Sequence, residues 1–367
     1  MTIKGFLESS AMQKTPPDLT ERELSGLVDL SRASEIHIDR DIYLEAENRG
    51  MTLSELLETS EYDPSPLSSP LDAFERQLAL AGIRLGGKNP TTVEQMYQKA
   101  AALMPEFILR EIKKGQSMRP ELSSLIANST TIANNRYTPF YIDTGSGGNL
   151  SLRPIGDGSE IPQLLVTEQN HAINVPEYGL GLKVSYKALR YRTTAQFRVL
   201  LWYIGFRLQT DKIAMIADCL VNGDGNSNAA TIVNAASSGS LTYDDLITLW
   251  AQFDPFEMNA IVCHIDNLKT ILTLDEFKDP LAGYRFQEKG ELFSPLGASL
   301  VRCDSVASDR IIGLDSRFAV EEVITQPLMV EYDKIIEQRF EEAVISESVA
   351  YAKVLKEASV VLDTVFV

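Results

Sequence analysis

The sequence predicts an α+β fold hung on one long helix, and three stretches carry that prediction. Residues 193–222 read as one uninterrupted helix closed by Gly223. Residues 137–155 read as extended segments broken by Gly145, Gly147 and Gly148, with Gly156 and Gly158 just beyond. From 229 to 324 helical and strand patterns mix, and three extended segments, 328–330, 339–351 and 358–366, follow Pro327 to the end of the chain. No repeat of 20–50 residues is visible, which argues against solenoids and propellers.

Residues 1–90 form the first region, with 16 acidic and 9 basic side chains, a net of −7. A helix is expected from Asp18-Leu19-Thr20-Glu21 to about Leu30, and short strands at Ile36-His37-Ile38 and Ile42-Tyr43-Leu44. Thr52 with Glu55 makes a capping box for a helix over 53–59. Pro64-Ser65-Pro66-Leu67-Ser68-Ser69-Pro70 reads as a linker. The region is read either as a partly ordered arm or as a small accessory domain. A second helical stretch runs from 92 to 114 and is kinked or restarted at Pro105.

The glycine-rich stretch then predicts a hairpin, with 138–142 and 150–152 as its arms. A return path through 164–166 and 171–175 leads to a strand at 182–186. The long helix takes Thr193 or Thr194 as its N-cap, and at 1.5 Å per residue its thirty residues span about 45 Å. Apolar side chains on more than one side predict that it is buried or packed from two directions. Between Lys187 and Lys212 lie six basic residues opposed only by Asp211, a contact for an acidic neighbour or a solvated face. Further on, Thr242-Tyr243-Asp244-Asp245 opens a helix to Phe253. Residues 259–264 make a buried strand, Asp266 caps a helix over 267–274, and strands lie at 299–301 and 310–312.

Composition bounds the partners. The net charge is −17, from 51 acidic and 34 basic residues. Gripping nucleic acid requires Lys and Arg to neutralise phosphates, so this surplus fits a surface that encloses nucleic acid without adhering to it. Cys219, Cys263 and Cys303 lack the short spacing of a zinc site, and an odd count supports no disulfide framework; buried free thiols in a reducing cytoplasm are expected. No secretory signal opens the chain, and the longest strongly apolar run, 199–206, is too short for a membrane span.

No pattern of catalytic residues emerges. Gly145-Ser146-Gly147-Gly148 lacks the lysine of a phosphate loop, and Leu150 stands where a dinucleotide fingerprint needs glycine. Asn222-Gly223-Asp224-Gly225-Asn226-Ser227-Asn228 starts like a calcium loop, but Val233 occupies the position of the bidentate Glu; a helix cap and turn explains it. His37, His171 and His264 are dispersed, and His264 at a strand end is expected to be structural. Glu341-Glu342 on a strand face opposite sides and make no acid/base pair. Neither cofactor, metal nor catalytic residue is therefore assigned.

The order of parts resembles the major capsid protein of tailed bacteriophages, whose fold is shared with encapsulin shells. VSYKALRYRT before the long helix, NGDGNSN after it, NAIVCHIDNLKTILTLDEFKD, DRIIGLDSRFAVEEVI and the terminal QRFEEAVISESVAYAKVLKEASVVLDT carry the resemblance, which covers 137–367. A long glycine-rich flap ahead of one stiff strut suits a subunit that reaches over its neighbour. The resemblance implies an extension or accessory region at 1–90, an N-terminal helical arm at 91–135 and an extended loop at 136–182. It implies a peripheral domain from 183–228 and 325–367, with its spine helix at 193–222, and an axial domain at 229–324.

The implied function is structural. The chain would assemble with itself, through hexamers and pentamers, into an icosahedral phage head enclosing double-stranded DNA. Portal, scaffold and decoration proteins would be its other partners, and the virion its location after synthesis in the bacterial host cytoplasm. An encapsulin-type compartment is the nearest alternative, and a cytosolic α/β enzyme the next. Subunit contacts are expected at Arg136, Asp143, Gly147, Arg153, Asp157, Glu160, Arg190, Arg198 and Arg207. Some family members cross-link a loop lysine to a neighbour's asparagine. Residues 137–182 contain no lysine, so a non-covalently held shell is expected.

Overall fold

A computed structural model describes residues 36, 38–39, 41–63, 71–87, 89–142, 154–155, 157, 166–278, 295–335 and 340–366. Its first helices are α1 (Ile42–Asn48), α2 (Leu53–Leu57), α3 (Ala73–Leu80), α4 (Val93–Ala100), α5 (Met104–Ser117) and α6 (Glu121–Leu125). Strands β1 (Asn128–Thr131), β2 (Arg136–Tyr137), β3 (Phe140–Ile142), β4 (Val166–Glu168), β5 (Ile173–Asn174) and β6 (Glu177–Ser185) follow. Next come α7 (Tyr186–Tyr191), the long α8 (Thr194–Asn222), β7 (Thr231–Asn234), α9 (Tyr243–Ala251), β8 (Ala260–Cys263) and α10 (Ile265–Leu272). A short α11 (Asp275–Lys278) precedes β9 (Ser299–Arg302), β10 (Arg310–Leu314), β11 (Val320–Ile335), β12 (Phe340–Lys353) and β13 (Ser359–Asp363). The fold is α+β.

The chain divides into two compact units, one of 1–118, 179–207 and 328–346, the other of 119–178, 208–327 and 347–367. The first is mainly helical. Ile42, Leu56, Leu57, Phe74, Leu78, Met96, Phe107, Ile108, Ile112 and Leu201 are all buried. Residues 42–44 open a helix where a strand was expected: Ile42 and Ala46 bury one face at a spacing of four. The expected cap forms at Thr52–Glu55, and the structure adds another at Thr92–Gln95. The restart at Pro105 is also found, with one 3-10 turn at Ala101–Leu103 and the proline in the first turn of α5, where a missing N–H costs nothing. Asp63 and Arg76 make a buried two-pronged ion pair at 2.9 and 2.6 Å.

Close packing of α5 on α8 depends on two glycines. A Cβ at Gly115 would lie 2.2 Å from the Trp202 carbonyl, and one at Gly205 2.1 Å from the Ile112 carbonyl. Neither backbone leaves space for a methyl group. Beside this crossing Glu111 is shared: Trp202 donates its indole N–H to Oε2, and Arg198 Nε lies 2.8 Å from Oε1 in an ion pair whose N–H is not aimed along the contact. Arg198 and Glu111 are both buried, so each neutralises a charge that would otherwise be costly.

The second unit holds a five-stranded sheet in the order β7-β13-β10-β8-β9. β13 runs parallel to β7, β10 antiparallel to β13 and β8, and β9 parallel to β8. One face packs Ile213, Ile216, Ala217 and Leu220 of α8 against Val262, Ile312 and Val361. The other covers Ile261, Ile311 and Leu362 with Leu246, Leu249 and Phe253 of the α9 segment. Alternation along each strand sends neighbours to opposite faces, and both faces are apolar because both are covered. Cys219, Cys263 and Cys303 are buried free thiols.

Asp245 closes a capping box with Thr242 and also accepts from the Ala236 N–H at 2.7 Å. Burial raises its pKa, but these hydrogen bonds outweigh it and leave the carboxyl below the usual range. Two expectations are corrected here. α10 begins at Ile265 and its cap is His264, whose Nδ1 accepts from the Asp266 N–H at 3.2 Å; the extended backbone of His264 lets the helix start directly after β8. Pro327 does not end a strand, since β11 runs through it. The ladder with β1, from Asn128↔Glu321 to Thr131↔Ile324, stops before the proline, so on that side no N–H is required of it.

Candidate assembly surfaces

The strands flanking the glycine-rich stretch make a firmly built base in the second unit. The expected hairpin arm 150–152 lies outside the described residues. Among the described ones β2 pairs antiparallel with β5 (Arg136↔Asn174), and β3 with β4 (Phe140↔Glu168, Ile142↔Val166). The return path is therefore the partner of the outgoing one, and Gln169 N–H to Pro139 and Val175 N–H to Asn135, both 2.9 Å, tie the strands between ladders. Underneath, Val175, Val323, Ala350 and Ala352 form a small core that Ile132, Tyr137 and Ile173 complete. Tyr137 donates to Glu321 at 2.7 Å; burial first, then the carboxylate, push its phenol above the normal range.

The foot of the returning strand is clamped to the end of the long helix by Asn222-Gly223-Asp224-Gly225-Asn226-Ser227-Asn228. Gly223 adopts φ +79° and donates to the Cys219 carbonyl at 2.9 Å, ending the helix in a left-handed cap. Asp224 then accepts from the Asn226 N–H at 3.1 Å and the Lys353 N–H at 3.0 Å, while Asn226 accepts from the His171 N–H at 3.0 Å. Lys353 Nζ donates to the Leu220 carbonyl at 3.0 Å from a site only 1% exposed. Burial brings its pKa down to about 8. The sequence revealed the turn; the clamp required knowing that positions 171 and 353 meet it.

Large apolar side chains remain in water on each unit. On the first, Val199, Leu200, Tyr203 and Phe206 are 59%, 42%, 61% and 40% exposed and recur at helical spacing along α8. Beside them Val184, Ala188, Arg192, Gln196, Phe197 and Leu200 line an open cavity of about 310 Å³. Burial from two directions was expected, yet within the unit only the face bearing Phe197, Leu201 and Ile204 is covered. On the second unit the loop base leaves Phe140 69% and Val166 50% exposed.

Of the anticipated contact residues, Asp143, Gly147, Arg153 and Glu160 lie outside the described residues. Asp157 and Arg136 are exposed, the latter on β2. Arg190 is exposed on α7 with Glu94 3.4 Å away, and Arg207 is exposed on α8. Arg198 is buried against Glu111 within its own unit. Lys212 is likewise taken up, by Glu347. Much of the positive run between 187 and 212 thus has internal partners. Adjacent Glu341 and Glu342 diverge as expected, Glu341 accepting from Tyr332 and Glu342 lying 3.6 Å from Lys183. Among the described residues no group of three or more His, Cys, Asp or Glu is placed to hold a metal, and no helix is long and apolar enough to cross a membrane.

No protein-family model and no curated protein matches the chain. Solved structures similar to it include a virus-like particle from Pyrococcus furiosus, at 13% identity over 71% of this chain and 97% of that one, with a TM-score of 0.48. The SrpI encapsulin complex from Synechococcus elongatus gives 15% identity, 67% and 87% coverage and a TM-score of 0.47. The capsid of cyanophage P-SCSP1u gives 13%, 64% and 85%, and 0.46. These three solved chains come from a virus-like particle, an encapsulin complex and a capsid.

Proposed function

We propose that the chain is the repeating subunit of a closed protein shell, the major capsid protein of a tailed phage. The single observation that carries this reading is the apolar stripe Val199-Leu200-Tyr203-Phe206, left in water on the outer side of a helix whose opposite side is fully packed. A subunit with complete cores has no use for such a stripe alone; contiguous exposed apolar surface marks a contact. The exposed Phe140 and Val166 at the base of the loop supply a second such surface.

Subunits related by rotation would bury these unlike surfaces heterologously, closing into hexamers and pentamers and then a shell. Each contact is small, and many per subunit make the assembled state hard to leave. In this reading 136–182 is the loop that lies across a neighbour, with Arg136, Asp143, Gly147, Arg153, Asp157 and Glu160 in the contact and Arg190 and Arg207 on the receiving side. Residues 229–324 are the axial domain, and 183–228 with 325–367 the peripheral one. A net charge of −17 suits enclosing double-stranded DNA without gripping it. Replacing Val199 and Tyr203 with glutamate tests the reading. Particles are expected to vanish while the subunit stays folded; shells formed as readily as before would remove the stripe from the interface. Nuclease-protected DNA inside purified particles is the expected content, and an enzyme cargo in its place would mark a compartment instead.

A further inference from the structure

Strand β6 is the terminal strand of the sheet ordered β1-β11-β12-β6. Among the described residues no strand lies on its outer side. Natural sheets blunt such edges by keeping them short or by placing proline and lysines on them. β6 is nine residues long, contains no proline, and carries Lys183 alone. Tyr178 and Leu180 are 42% and 43% exposed. The edge is built to be used.

Its residue order says by what. Side chains alternate, so Glu177, Gly179, Gly181 and Lys183 share one face and Tyr178, Leu180 and Leu182 the other. We propose that β6 docks the β6 of a second copy of this chain, the two running antiparallel about a two-fold axis at Leu180. In that register Glu177 of each copy stands opposite Lys183 of the other. Tyr178 stands opposite Leu182, Gly179 opposite Gly181, and the two Leu180 side chains meet on the axis. Both ion pairs fall on one face and a continuous apolar row on the other. Shifting the register by two residues sets Glu177 against Gly181 or against Ser185 and loses both pairs; shifting it by one sets each charged face against an apolar one. The glycines leave the charged face open. A Cβ at Gly179 or Gly181 would find only Ile345 O at 3.8 Å or Glu342 Oε1 at 3.7 Å, within the chain's own sheet. Lys183 is half exposed, and its ion pair with Glu342, at 3.6 Å, leaves it room to turn outward.

The contact is isologous, unlike the heterologous contacts of the shell reading, and does not depend on that reading. Facing Cα atoms of an antiparallel pair lie about 4.5–5.5 Å apart, within disulfide reach. The test is Leu180→Cys in the full chain under mild oxidation, with Tyr191→Cys, at a site 71% exposed, as the control. The native thiols are buried and give little background. A disulfide-linked dimer is expected for L180C and not for Y191C. Adding Glu177→Lys or Lys183→Glu singly should cut the L180C dimer yield by about tenfold by setting like charges opposite, and the double exchange should restore it. L180C linking no better than Y191C, or a double exchange no better than the singles, would overturn the proposal. Microscopy of the same samples separates the readings: shells without the link overturn the docking strand alone, and linked dimers without shells overturn the shell alone.

Discussion

At Gly205 the long helix has no room for a methyl group, because the atoms facing the missing Cβ are the Ile112 carbonyl at 2.1 Å and the Gln116 nitrogen at 2.9 Å. Alanine would add about 1 kcal/mol of helix propensity. Forcing two backbones apart costs more than that, typically about 1–3 kcal/mol and sometimes beyond. Gly205→Ala is therefore expected to lower stability by up to about 2 kcal/mol in urea unfolding; an unchanged or higher midpoint would show that the crossing can relax. Lys353 gives a pH dependence with a definite sign. Its folded pKa of about 8 lies below the ordinary lysine value of 10.5, so between these values the unfolded chain holds the proton more tightly. Its contribution to stability therefore rises as pH climbs through that window and is at its least favourable below it. Lys353→Met should remove this rise, so the stability of the parent relative to the variant increases from pH 7.5 to 10. A constant difference would contradict the buried charge. At this scale local chemistry was legible in the sequence: Thr52 with Glu55 and Thr242 with Asp245 cap as their three-residue spacing demands. The Arg198–Glu111 pair was not, since its members are 87 positions apart and meet only through a helix crossing set by two glycines.

Among the elements, the long helix and the loop base decide what the subunit can do. The helix was readable because an apolar run of this length between Thr193 and Gly223 has no competing pattern. Residues 42–44 misled because three apolar residues fit either period, and only the spacing to Ala46 decides for helix. The return strands lie near their expected places, but their pairing with the outgoing ones, across 24 or more residues, leaves no local mark in the sequence. Because both ladders and the His171 clamp lie outside 145–158, deleting that segment should leave the subunit folded and unable to assemble. Normal shells from the deletion would dismiss the loop from the contact. An unfolded product would mean the ladders need the segment above them. The glutamate pair at Val199 and Tyr203 belongs to the same scale. Both sites are more than half exposed, so stability should move by less than about 0.5 kcal/mol while assembly is lost.

For the whole molecule, the relevant quantities are surplus charge and unfinished surface. With 51 carboxylates against 34 basic groups, like subunits repel unless apolar contacts outweigh the repulsion, so assembly should strengthen with added salt. The absence of lysine between 137 and 182 adds a chemical expectation: reduced, boiled particles should run as single chains, and ladders of linked subunits would contradict it. The proposed function was legible here only as an order of parts, because the shell reading calls for no catalytic constellation. The measurement that bears most directly on the central claim is electron microscopy of the purified full-length chain at moderate salt. Closed shells of uniform size are the predicted result. Isolated monomers or small rings across the whole salt range would contradict it.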